Sequence, residues 1–107
     1  MAEPASVARA DDYRYRDNEA EKRWEVTDAD EVIAFAEYRL RPDSIVFTHT
    51  VVDPAYEGRG IGSRLARTVL DDAVARGLRI VPYCPFISAY LERHKQYAAH
   101  VDMPQQR

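Results

Sequence analysis

The stretch Ile45-Val46-Phe47-Thr48-His49-Thr50-Val51-Val52-Asp53-Pro54-Ala55-Tyr56-Glu57-Gly58-Arg59-Gly60-Ile61-Gly62-Ser63-Arg64-Leu65 holds the transition that decides the fold. Ile45 to Val52 is rich in β-branched residues and free of acidic and basic side chains other than His49, the pattern of a central strand covered on both faces. Asp53-Pro54 ends it, and three glycines follow at alternate positions. From there Ile61, Leu65, Val69, Ala73 and Val74, with Ala66 and Leu70 beside them, recur with the helical period. Gly77 after Arg76 marks the helix stop. Leu78-Arg79-Ile80-Val81, ended by Pro82, reads as a short strand. A strand, a helix and a strand in this order imply a right-handed crossover. Ile45–Val52 and Leu78–Val81 should therefore pair in parallel.

Upstream, the period changes. Lys22 to Thr27 alternates Trp24 and Val26 with charged residues, as a half-buried strand does. Asp28-Ala29-Asp30 and Arg41-Pro42-Asp43-Ser44 are turn compositions. Val32 to Leu40 would admit a helix, but its hairpin spacing from the Trp24 segment favours a strand. The first half thus reads as an antiparallel meander. Downstream, Cys84-Pro85-Phe86 opens a further helix that carries Ile87, Tyr90 and Leu91, then His94 and Tyr97. The expected fold is α+β (α/β layered), with a meander leading into a mixed sheet, one strand–helix–strand crossover and a C-terminal helix.

A chain of 107 residues holds one hydrophobic core, and residues 13–102 are expected to form that single domain. Residues 1–12 are Ala-rich, polar and without period, so a disordered leader is expected there, and a frayed tail over 103–107. With 15 basic and 18 acidic residues the formal net charge is −3, which argues against broad nucleic-acid binding. No apolar run reaches the ~20 residues of a membrane span. Glu3, Arg9, Asp11 and Asp12, with no apolar core between them, do not make a secretory signal. The single cysteine, Cys84, leaves no intrachain disulfide and fits a reducing cytoplasm. His49, His94 and His100 lack ligand spacing, so no metal site is expected. No pattern specifies an oligomeric state.

Glycines let a backbone approach a ligand closely, and a helix that starts beside them aims free N–H groups at an anion. A Walker loop would need Lys and then Ser or Thr after its last glycine. Here Ser63-Arg64 follow Gly62. A dinucleotide fingerprint would need its third glycine where Ser63 stands. The remaining readings are a different phosphate compound or a tight strand-to-helix turn with no ligand.

Asp53-Pro54-Ala55-Tyr56-Glu57-Gly58-Arg59-Gly60-Ile61-Gly62-Ser63-Arg64-Leu65 resembles the acetyl-CoA pyrophosphate loop of the GCN5-related N-acetyltransferases. Gly60 and Gly62 match that pattern, and Glu57 stands where Gln or Arg is usual. His49-Thr50 and Pro82-Tyr83-Cys84-Pro85-Phe86, with Tyr90-Leu91-Glu92-Arg93-His94, resemble the small, single-domain YjdJ-type branch of the family. The resemblance covers roughly Tyr15 to Val101. It implies a small acetyl-CoA-dependent N-acetyltransferase acting on a primary amine, on a small molecule or on a protein or peptide. The alternative is a CoA-binding or protein-interaction module with little turnover.

The resemblance also implies site roles. Main-chain groups of Val51 and Val52 would pair with the pantetheine arm, and N–H groups across Glu57, Gly58, Arg59, Gly60, Ile61, Gly62 and Ser63 would hold the pyrophosphate. Arg59 and Arg64 would add positive charge, or would be an ordinary solvated helix face. Cys84, at a helix start where thiolates are favoured, would take the acetyl group or polarise the site, or would be a small buried hydrophobe. His49 is a candidate general base on the face of Phe47 and Val51, with hydrogen-bonded structure as the alternative. Tyr90 could protonate the leaving thiolate, or belong to the core.

Overall fold

The computed structural model describes residues 13–104, and the expected leader over 1–12 and the last residues of the expected tail, 105–107, lie outside them. Five strands form one sheet in the order of the chain: β1 (Arg14–Asn18), β2 (Arg23–Asp28), β3 (Glu31–Leu40), β4 (Ser44–Val52) and β5 (Arg79–Pro82). β1 to β4 are antiparallel neighbours, and β5 runs parallel to β4 from Ser44↔Arg79 to Phe47↔Pro82. Helix α1 (Ile61–Ala75) makes the crossover between β4 and β5, and α2 (Pro85–Arg93) follows β5. The expected α+β architecture, mixed sheet and parallel pair are all present.

α1 forms where the apolar stripe lies, and Ile61, Leu65, Ala66, Val69, Leu70 and Ala73 are buried. Burying a Leu, Ile or Val side chain is worth about 1.5–3 kcal/mol, so this stripe is what docks the helix on the sheet. Its C-terminus closes with Gly77 at φ 72°. Gly77 N donates to Val74 O and Leu78 N to Ala73 O, the pairing that satisfies the last carbonyls of a helix.

Three expectations are corrected. β1 precedes the Trp24 strand, which places Lys22 in the hairpin turn at φ 58° instead of in a strand. α2 stops at Arg93, and a 3₁₀ segment, Lys95–His100, carries Tyr97. His94 at φ −131°, ψ 81° is too extended to continue the helix. Finally, β4 is buried on both faces only over its first half, Ser44, Ile45, Val46 and Phe47, and beyond Phe47 one face is uncovered. α1 and α2 pack against one face, where Val26, Ala34, Ala36, Tyr38, Ile45, Phe47 and Ile80 join the core. The other face carries Arg16, Arg23, Glu25, Phe35, Glu37 and His49, and Thr48 and His49 are exposed.

That uncovered face keeps one buried charge. Glu25 is 1% exposed and accepts from Arg16 Nε and Nη2, Asn18 Nδ2 and Arg23 Nε at 2.7–3.2 Å. Burial pushes its carboxyl up, but hydrogen bonds from Arg23, Arg16 and Asn18 outweigh this and hold it below the usual value. Arg23 also lies over the Phe35 ring, 4.6 Å from its centroid.

Candidate active site

The site grows out of the end of β4. Asp53 N donates to Ile33 O at 2.8 Å as the last tie to the sheet. Its carboxylate then accepts from Ala55 N at 2.9 Å and caps a 3₁₀ turn, Pro54–Tyr56. Gly58 and Gly60 follow at φ 82° and 79°, left-handed values that side chains with a Cβ adopt only at a cost. Gly60 is the N-cap of α1 and offers no side-chain cap, and the first turn holds no acidic residue. Arg64 N is the first helical amide bonded, to Gly60 O. Among the described residues the N–H groups from Gly58 to Ser63 therefore have no backbone acceptor.

These groups border a cavity of about 450 Å³ lined by Thr50, Val52, Tyr56, Glu57, the glycines Gly58, Gly60 and Gly62, Ile61, Ser63 and Phe86. Gly62 leaves the ring its place: a Cβ there would stand 2.8 Å from Phe86 Cζ unless the ring moved. The aromatic wall of the cavity is thus seated on the helix N-terminus itself. The cavity opens beside β4 beyond Phe47, where β5 has already ended and Thr48–Val52 has no strand on that side. Tyr83 N and Cys84 N both donate to Phe47 O at 3.0 Å, which turns the chain away from β4 and parts the two strands.

The loop is tied back to the sheet by aromatic residues. Tyr56 Oη donates to Asp28 Oδ2 at 2.7 Å, and this bond above all pushes the phenol up to about 12. Arg59 Nη1 donates to Tyr13 Oη at 3.1 Å, with its guanidinium 5.0 Å from the Tyr56 ring centroid. Arg64 lies 5.9 Å from the centroid of Tyr15. Arg59 is thus tied to the loop's tyrosines, whereas Arg64 is exposed on the first turn of α1.

The three catalytic candidates do not meet. Glu37 pairs with His49 and Tyr38 with Phe47, so Thr48 bulges out of the ladder. The bulge turns His49 off the face of Phe47, correcting the expected alternation. His49 lies with Val51 and Phe35 on the uncovered face, its ring 6.3 Å from that of Phe35. Thr50 and Val52 turn toward the cavity. Cys84 lies on that same side but is 2% exposed, with Sγ–H donating to Thr50 Oγ1 at 3.1 Å. Tyr90 packs in the helix layer, stacked on His94 at 3.8 Å and tilted on Tyr97 at 6.4 Å. Burial raises its phenol, and the charges nearest it are Arg67 and Asp71 of α1. Val51 and Val52 pair with Phe35 and Ala34 of β3 and have no strand on the β5 side. Thr50, Tyr56 and Phe86 line the cavity although sequence reasoning assigned them no part in it. Only the position of Thr50 beside His49 and of Phe86 beside Cys84 pointed to them.

A protein-family model described as GCN5-related N-acetyl-transferase matches residues 23–101. No curated protein matches the chain in sequence. Among solved structures, the chain is similar to a GCN5-like protein from Staphylococcus aureus determined by NMR in solution. The two share 23% identity and a TM-score of 0.67, over 88% of this chain and 92% of that one. That likeness extends to the fold. The family match spans most of the chain, β1 excepted, and includes the glycine loop, the Thr48 bulge and Cys84. The chain belongs to the GCN5-related N-acetyltransferases, enzymes that transfer an acyl group to an amine.

Proposed function

We propose that this N-acetyltransferase draws its acetyl group from acetyl-CoA on the helix side of β4 and delivers it to a primary amine arriving from the uncovered sheet face. The observation that carries the donor assignment is the row of free N–H groups from Gly58 to Ser63 around the cavity, at an uncapped helix N-terminus with no acid in its first turn. Acetyl-CoA supplies an activated thioester and a thiol leaving group. The backbone from Gly58 to Ser63 holds its pyrophosphate, and Arg59 and Arg64 add positive charge at the rim. Val51 and Val52, where β4 has no neighbour on the β5 side, hold the pantetheine arm as an added strand. Asp53 N is turned to β3, so by alternation the Val52 N–H is turned to the open side, where it meets the developing oxyanion. His49, exposed on the opposite side, takes the proton of the attacking amine. Transfer is direct, because the Cys84 thiol is buried and already bonded.

The acceptor is a small-molecule amine or an exposed amine of a protein or peptide, which an uncovered sheet face can admit without a walled pocket. His49-Thr50 and Cys84-Pro85-Phe86 support the YjdJ-type branch, and the lone free cysteine supports a reducing cytoplasm. No described helix is long and apolar enough to cross a membrane. The test pairs a thermal melt with an amine panel. Acetyl-CoA should raise the melting temperature, and a suitable amine should accelerate release of CoA thiol. Stabilisation without amine-dependent release would identify a CoA-binding module, and no stabilisation would refute the donor site.

A further inference from the structure

We propose that the Thr50 hydroxyl binds the acyl donor, and that Cys84 is a positioning residue that aims it. This rests on the cavity being the donor site. A threonine hydroxyl has one hydrogen to give and two lone pairs to accept with. Cys84 Sγ–H occupies one lone pair at 3.1 Å. Among the described residues the Thr50 hydrogen has no protein acceptor, while Thr50 lines the cavity. With the thiol on one lone pair, the hydroxyl is free to turn that hydrogen toward the cavity. A donor at a cavity wall with no partner is suited to a carbonyl oxygen, which the amide-bearing arm of an acyl thioester provides.

The thiol is fixed for this task. Cys84 N donates to Phe47 O, Pro85 follows it directly, and the side chain is 2% exposed within the core. A thiol suits the position because it donates weakly and tolerates burial without an acceptor site of its own being filled. A serine there would have a shorter reach and a costlier buried hydroxyl. The same burial keeps the sulfur from presenting itself to the donor as a nucleophile.

The experiment compares wild type, Thr50→Val, Thr50→Ser and Cys84→Ala. It reads KM for acetyl-CoA and kcat by thiol release at saturating amine. It also reads the melting temperature with and without acetyl-CoA, and intact mass after acetyl-CoA alone. Thr50→Val should raise KM about tenfold, the scale of one lost hydrogen bond, with kcat within about twofold. Thr50→Ser should recover most of that loss. Cys84→Ala should raise KM by about threefold in the same direction, and no acetyl adduct should appear on the protein. The proposal is overturned if Thr50→Val leaves KM unchanged. It is equally overturned if Cys84→Ala abolishes turnover while an acetylated wild-type protein accumulates. Wild type that acetyl-CoA neither stabilises nor loses thiol to would instead overturn the donor-site assignment beneath it.

Discussion

Gly62→Ala isolates the contact between the helix N-terminus and the cavity wall. Alanine in place of glycine within a helix gains roughly 1 kcal/mol from propensity alone. Against this, the new Cβ would lie 2.8 Å from Phe86 Cζ, where carbon pairs settle at about 3.5–4.0 Å. The ring must therefore withdraw by most of an ångström. In a closed core such overpacking costs about 1–3 kcal/mol. Phe86 is 38% exposed and can swing outward, so the lower figure applies. Gain and cost nearly cancel, and the single variant should melt within about 5 °C of wild type, on a scale of ~4–8 °C per kcal/mol for a domain of this size. Affinity for acetyl-CoA should nevertheless fall by about tenfold, because a methyl group and a displaced ring now stand beside the amides that hold the anion. Thermal melts and acetyl-CoA titrations on Gly62→Ala, Phe86→Ala and the double variant complete a cycle. Removing the ring should release the helix gain, with a coupling of about 0.5–1.5 kcal/mol. A Gly62→Ala protein stabilised by the full propensity gain, binding acetyl-CoA as wild type does and uncoupled from Phe86, would refute the packing argument.

Glu57 is an exposed carboxylate on the wall of an anion site. Glu57→Gln should tighten acetyl-CoA binding by about three- to fivefold at low salt and by less at high salt, by titration at two ionic strengths. Glu25 has its carboxyl held below the ordinary value of about 4.3 for a glutamate, so its contribution is complete above that pH and disappears as pH falls through the lowered value. Wild type should lose stability below about pH 4.5, and Glu25→Gln should flatten that acid limb. At pH 7 the variant should lose about 2 kcal/mol, less than a fully buried pair because Arg16 is exposed. Denaturant melts across the pH range read both. Trp24 Nε1 is buried with no partner among the described residues. Trp24→Phe should consequently cost under about 1 kcal/mol, far less than a truncation to Ala, in the same melts.

What could be read beforehand was whatever repeats with a period. The α1 stripe, the β-branched β4 and the Gly77 stop each follow from local rules, and the parallel pair follows from their order. β1 escaped because Arg14-Tyr15-Arg16-Asp17-Asn18 looks solvated until Glu25 supplies Arg16 and Asn18 with a partner across the ladder. The faces of β4 escaped for a sharper reason. A single bulged residue, Thr48, inverts the alternation beyond it, and nothing in a run of β-branched residues says where the extra residue falls. His49 and Cys84, two separate catalytic candidates in the sequence, accordingly stand on opposite sides of β4. The glycine loop was legible because positive φ leaves a compositional trace. Its aromatic ties to Tyr13 and Asp28 bridge distant parts of the chain and leave none.

The strand order has a consequence for assembly. β1 to β4 each pair with the strand just before or after them, so the meander closes through short turns at small entropic cost. β5 must wait for the whole of α1 to be laid across the sheet before it can meet β4, and it brings only four residues to that seam. The cleft thus sits on the boundary between an early, local unit and a late, non-local one. In native-state hydrogen exchange, β5 should open at lower free energy than β2 and β3. The two strands that diverge at the cleft are the pair joined through the longest connection in the sheet.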